Sequence, residues 1–135
     1  MARGAGRGDE GAAVVEFVLV GVLLITLFMS ILQVGLYLHL RNVVVASLAE
    51  GAREAANADR TCEDGAVRAH DLVARAVGTK VADGLDFTPP PDCETTTPDG
   101  VVLVQVRVRG PLPLLFPPVG SVSMSATAHA IKEGQ

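Results

Sequence analysis

The sequence predicts an α+β protein in which a long N-terminal transmembrane helix continues into a stem, followed by a second helix and a small antiparallel β-sheet packed on the helical layer. Three observations carry that expectation. An uncharged apolar run extends from Phe17 to Leu40, helical periodicity continues beyond it, and two segments near the C-terminus alternate with period two. The 135 residues amount to one domain, and subtracting a membrane segment leaves a soluble part close to the lower limit for a self-sufficient core.

The first element rests on FVLVGVLLITLFMSILQVGLYLHL, which contains no Asp, Glu, Lys or Arg. As a helix its 24 residues rise about 36 Å, enough to cross a hydrocarbon layer of ~30 Å with some tilt. A secretory signal peptide has an apolar region of roughly 7–15 residues with small residues closely after it, and this run is too long for one. Arg3 and Arg7 before the run, against Arg41 after it, favour a cytoplasmic N-terminus.

Past Leu40 the stem reads RNVVVASLAEGAREAANA, with Val44, Leu48, Ala52 and Ala55 at helical spacing and Asn42, Glu50, Arg53, Glu54 and Asn57 on other faces. The small residues Ala49, Gly51, Ala52, Ala55 and Ala56 allow close helix approach, either within the chain or to another subunit. With Gly21 and Gly35 in the apolar run they are the candidate helix-packing positions. A second helix is expected from about Gly65 to Val77, with Asp64 as N-cap and Gly78 as the stop. Its apolar side holds Ala66, Ala69, Val73, Ala76 and Val77, and His70 beside it reads as a half-buried structural histidine.

Residues 85–100, with Pro89-Pro90-Pro91, read as an irregular connection. Cys62 and Cys93 lie in no C-x-x-C or Cys/His cluster, and outside the cytoplasm they form a disulfide that ties this loop to the stem. Two strands follow. Val102, Val104, Val106 and Val108 share one face of the first; Val122, Met124, Ala126, Ala128 and Ala130 share one face of the second. The link between them, PLPLLFPPVG, holds Leu112, Leu114, Leu115 and Phe116, which form a contact patch for a partner or membrane surface, or else close the core.

A net charge of -4, 4% aromatic residues and no Trp exclude the electrostatic and stacking surface of a nucleic-acid binder. His39, His70 and His129 have no metal-ligand spacing to Cys, Asp or Glu, and there is no G-x-S-x-G elbow, P-loop or dinucleotide fingerprint. No cofactor, metal, small-molecule substrate or enzymatic activity is expected.

Directly before the apolar run stands Gly11-Ala12-Ala13-Val14-Val15-Glu16-Phe17, with a carboxylate at the edge of the membrane segment. Gly11, Glu16 and Phe17 resemble the processing signal of type IV prepilins, a Gly, four residues, a Glu and an aromatic residue opening the apolar helix. The stretches GAAVVEFVLVGVLL (11–24) and AEGAREAA (49–56) more specifically resemble the TadE-like minor pilins and pseudopilins of the tight-adherence (Tad) pilus system. Helices of that family often carry Pro where this chain has Gly21.

The resemblance implies a cytoplasmic leader over 1–11, a transmembrane pilin helix over 12–40, a helical stem over 41–60 and a small extracytoplasmic α+β domain over 61–135. It also implies that a prepilin peptidase cuts between Gly11 and Ala12, and that the partners are the membrane, other Tad pilus subunits and an inner-membrane assembly platform. The implied location is the bacterial cytoplasmic membrane, single-pass, with incorporation into a surface adhesion pilus. Loss of residues 1–11 removes two basic and two acidic side chains, so the formal charge stays at -4. The alternative of a different class is an uncleaved, membrane-tethered binding module that engages an envelope partner.

Overall fold

A computed structural model describes residues 9–112 and 122–133. The elements in chain order are α1 (Asp9–Ala56), α2 (Cys62–Val77), α3 (Thr79–Asp83), β1 (Glu94–Thr96), β2 (Val102–Leu112) and β3 (Val122–Ile131). The chain divides into two units at Gly35/Leu36, inside α1.

In the first unit, no residue from Gly11 to Gly35 is buried, and Phe17 and Leu23 are 79% and 67% exposed. The hydroxyl groups of Thr26 and Ser30 donate to the carbonyls of Val22 and Thr26, each at 2.8 Å. These polar side chains are therefore satisfied within their own helix, as a lipid environment requires. The helix is long and apolar enough to cross a membrane.

The second unit closes its own core. From α1 it takes Leu40, Val44, Leu48, Ala52 and Ala55, one face at the spacing of i, i+4 and i+3. Leu36 and Tyr37 pack partly against the same cluster, so the last turn of the apolar run belongs to the globular part. Ala66, Ala69 and Val73 of α2, Ala82, Leu85 and Phe87 after it, and Val104, Val106, Val108, Leu112 and Met124 from the sheet complete the core.

The stem ends earlier than expected, at Ala56, where Asn57 turns the chain and Arg60 N–H donates to the Asn57 carbonyl at 3.1 Å. The N-cap of α2 is Thr61, not Asp64. The Thr61 hydroxyl accepts from the Asp64 N–H at 3.2 Å and the Asp64 carboxylate accepts from the Thr61 N–H at 2.8 Å, a reciprocal capping box with Asp64 at the third helical position. Gly78 ends the helix as expected, at φ 100°, and its N–H donates to the Ala74 carbonyl at 3.0 Å.

The sheet has the order β1-β2-β3, antiparallel throughout. β2 and β3 run in the register Val104↔Ala130 and Val108↔Ala126, which places the apolar faces of both strands against the helices. Two elements depart from the sequence reading. β1 falls in the stretch read as irregular and has three exposed residues, so no alternation marks it. α3 has five residues with only Ala82 buried, too few for a period.

β2 runs on past Gly110 through Pro111 to Leu112. Odd-numbered residues of β2 hydrogen-bond toward β1, as in Gln105 N–H to the Cys93 carbonyl at 2.8 Å, whereas β1 pairs only with Val102, Leu103 and Val104. The donor that Pro111 lacks therefore belongs to a stretch that β1 does not reach, and no ladder bond is lost.

Candidate functional site

The motif residues Gly11, Ala12, Glu16 and Phe17 lie in the first turns of α1, all exposed. A Cβ added at Gly11 would meet nothing within 4 Å, so the fold itself does not require glycine there. Ala12 and Glu16 are four residues apart in a helix, which puts the carboxylate on the same face as the backbone nitrogen that a cut after Gly11 would free.

The small residues separate into two groups. At Gly21 and Gly35 a Cβ would also find open space within 4 Å. At Gly51 it would strike the Gly65 carbonyl oxygen and come within 2.9 Å of the Ala69 Cβ. At Gly65 it would lie 2.6 Å from the Ala55 Cβ. Gly51, Ala52, Ala55 and Ala56 are buried and Ala49 half-buried. Gly51 thus serves the crossing of α1 and α2 within the chain. Gly65, read only as the start of a helix, is its partner.

Cys62 and Cys93 form a disulfide, with their Cα atoms 6.4 Å apart. Because α2 begins at Cys62, the bridge ties the proline-rich loop to the N-terminal end of α2 and not to the stem. Leu112 is fully buried inside β2, opposite Val122, and so closes the core and cannot serve as a contact patch. Leu114, Leu115 and Phe116 lie outside the described residues.

His70 occupies a structural position: its Nε2 is 3.1 Å from Asp83 Oδ1, and its ring meets Phe87 edge-on at a centroid distance of 5.6 Å. Neither partner had a sequence signal, since both lie beyond the end of α2 in stretches without a period. Among the described residues no group of three His, Cys, Asp or Glu could hold a metal. In an open groove lined by Glu54, Arg60, Glu63, Asp64, Val67, Arg68 and Asp71, Arg60 Nε lies 3.1 Å from Glu54 Oε1 and the Asp64 carboxylate accepts from the neighbouring Thr61 N–H.

Two carboxylates carry a pH dependence. The Thr61 backbone N–H and then its hydroxyl hold Asp64 below the usual carboxylate value; the Thr88 hydroxyl and then its N–H do the same for Asp86. A depressed folded-state value contributes stability that is present above the unfolded-state value and is lost as pH falls through the folded one. Unfolding titrated from about pH 6 to pH 2 should therefore show stability falling mainly below pH ~4. In the Asp64→Asn, Asp86→Asn double variant that fall should be smaller.

Residues 11–53 match the family model described as TadE-like protein. Over that stretch the chain is similar to TadE-like proteins. The match begins at Gly11, takes in the whole exposed apolar segment and ends at Arg53, one helical turn before α1 stops. Neither a curated protein nor a solved structure matches the chain. TadE-like proteins are associated with the membrane and the Tad pilus system and are in general non-catalytic, and the single N-terminal apolar helix fits such an anchored protein.

Proposed function

We propose that this chain is a non-catalytic, prepilin-like subunit of a Tad-type adhesion pilus, cut by a prepilin peptidase between Gly11 and Ala12 and anchored by α1. One observation above all supports the reading: α1 presents apolar side chains on every face through Gly35, while the residues from Leu36 onward close a core of their own. Nothing in the chain covers Phe17, Leu19, Leu23 or Ile25 among the described residues. Lipid, and the helices of other subunits, are the surroundings in which that surface is stable.

The membrane span is then the stretch from Val14 to Gly35, which rises about 33 Å. The positive-inside bias puts Arg3 and Arg7 in the cytoplasm, and the Cys62–Cys93 disulfide agrees with an external C-terminal domain. After cleavage the new amino group at Ala12 is a cation at the membrane surface, and Glu16 is a carboxylate near it. When subunits pack side by side, Glu16 of one meets Ala12 of the next, so that neither charge is desolvated alone and the axial register of the helices is fixed. The subunit joins, primes or caps the pilus on the assembly platform with its sheet domain outside.

Gly11→Leu tests this with little cost to the fold, because a Cβ at position 11 meets nothing within 4 Å among the described residues. The variant should retain residues 1–11 on its mature form, keep the same unfolding midpoint as the parent and fail to enter pili. If Gly11→Leu is shortened to Ala12 and assembled like the parent, the processing assignment is wrong. Glu16→Ala should be cut normally but incorporated at least tenfold less well.

A further inference from the structure

The two edges of the sheet are unlike. β1 exposes a three-residue edge with Pro91 and Pro98 nearby and Glu94 engaged by Lys132. Short length, proline and charge are the usual guards against strand addition. β3 is the other edge and has none of them: VSMSATAHAI is ten residues long, with no proline and no Asp, Glu, Lys or Arg.

The register shows which backbone groups β3 leaves outward. Lys132 N–H donates to the Val102 carbonyl at 2.9 Å, so even-numbered residues bond inward to β2. Odd-numbered residues therefore direct N–H and C=O away from the sheet. Glu133 follows this rule, its N–H leaving the sheet to donate to the Ala56 carbonyl at 2.8 Å. Ser123, Ser125, Thr127, His129 and Ile131 point the same way and have no backbone partner on that side among the described residues.

We propose that this edge pairs antiparallel with β3 of a second copy of the chain. An antiparallel pair of identical strands is isologous, and keeping the core-facing residues of both copies on one face requires residues of like parity to be opposed. Full overlap of Ser123–Ile131 centres the two-fold axis on Thr127. Thr127 then faces Thr127, Ser125 faces His129, and Ser123 faces Ile131. The outward odd residues become the hydrogen-bonded pairs, giving about ten new N–H···O bonds.

The side chains suit a copy of the same strand. With no Asp, Glu, Lys or Arg in β3, self-pairing opposes no like-charged pair of these residues. On the core-facing side Ala126 and Ala128 oppose one another across the seam, and Met124 opposes Ala130. Ala126, Ala128 and Ala130 are only half-buried in the single chain, so the two apolar faces continue into each other. The pairing does not depend on processing at Gly11.

Thiol cross-linking of the full-length chain in native membranes tests it. In this register two Thr127 Cα atoms are about 5.5 Å apart and two Ser123 Cα atoms about 27 Å apart. With a short bifunctional thiol reagent, Thr127→Cys should give a product of twice the chain mass, and Ser123→Cys at least tenfold less. Adding Ser125→Pro removes an outward donor and no bond to β2, so it should lower the Thr127→Cys product at least fivefold with the Cys62–Cys93 bridge still formed. Absence of the dimer at Thr127→Cys in the oxidised, folded chain overturns the proposal. So does an equal yield at Ser123→Cys, an undiminished yield with Ser125→Pro, or capture of a different protein at position 127.

Discussion

Replacing Cys62 and Cys93 together by serine is expected to lower the stability of the C-terminal domain by about 3–4 kcal/mol, the loop-entropy value for a separation of 31 residues. That is a large share of what holds a domain of this size, where net stability is typically about 5–15 kcal/mol. The loop it closes runs from the start of α2 to the residue before β1, and the segment over 88–93 forms no helix or strand of its own. Cys93 is also buried, 5% exposed, so serine there desolvates a hydroxyl where the sulfur lay among apolar groups. Thermal unfolding of the full chain in detergent should shift down by roughly 15–25 °C, at about 4–8 °C per kcal/mol. An unchanged midpoint would mean that the rest of the core holds this loop without the bridge.

Gly51→Leu is expected to prevent the domain from folding, because the position leaves no room for a side chain between α1 and α2. Even Gly51→Ala should cost about 1–3 kcal/mol by overpacking, although alanine in a helix interior normally gains about 1 kcal/mol over glycine. Gly65→Ala should behave alike, since its Cβ would come within 2.6 Å of the Ala55 Cβ. The two together should cost less than their sum, as either alone forces the helices apart. Gly35→Ala, which meets nothing within 4 Å, should leave the unfolding midpoint unchanged or raised. Equal effects at Gly51 and Gly35 in denaturant titrations would show that the helix crossing is looser than its backbone contact implies.

Long, repetitive signals were legible in the sequence, whereas short exposed segments and most tertiary contacts were not. The uncharged run from Phe17 and the valine alternation of β2 span many residues, so each identifies its element without knowledge of the rest. β1 has no such signal: three exposed residues become a strand only because Val102, Leu103 and Val104 offer an edge. The start of α2 was misplaced because both Thr61 and Asp64 are good capping residues. The reciprocal bond between them settles the order, and it puts Cys62 inside the helix.

The candidate site divides in the same way. Gly11, Glu16 and Phe17 are a spacing pattern and could be read directly, whereas the partner of Gly51 is a tertiary fact that no spacing within α1 contains. For Leu112 the sequence left two readings open, a contact patch or closure of the core, and only its burial at the end of β2 decides for the core. Sequence also placed the end of the membrane run at Leu40, but Leu36, Tyr37 and Leu40 are shared with the globular core, a distinction hydropathy does not make.

The N-terminus of the mature chain, read by mass spectrometry from cells with and without their prepilin peptidase, tests the proposed function most directly. A start at Ala12 that depends on the peptidase is the expected result. An N-terminus still carrying residues 1–11 in both strains would contradict it and would leave a membrane-tethered binding module as the better description.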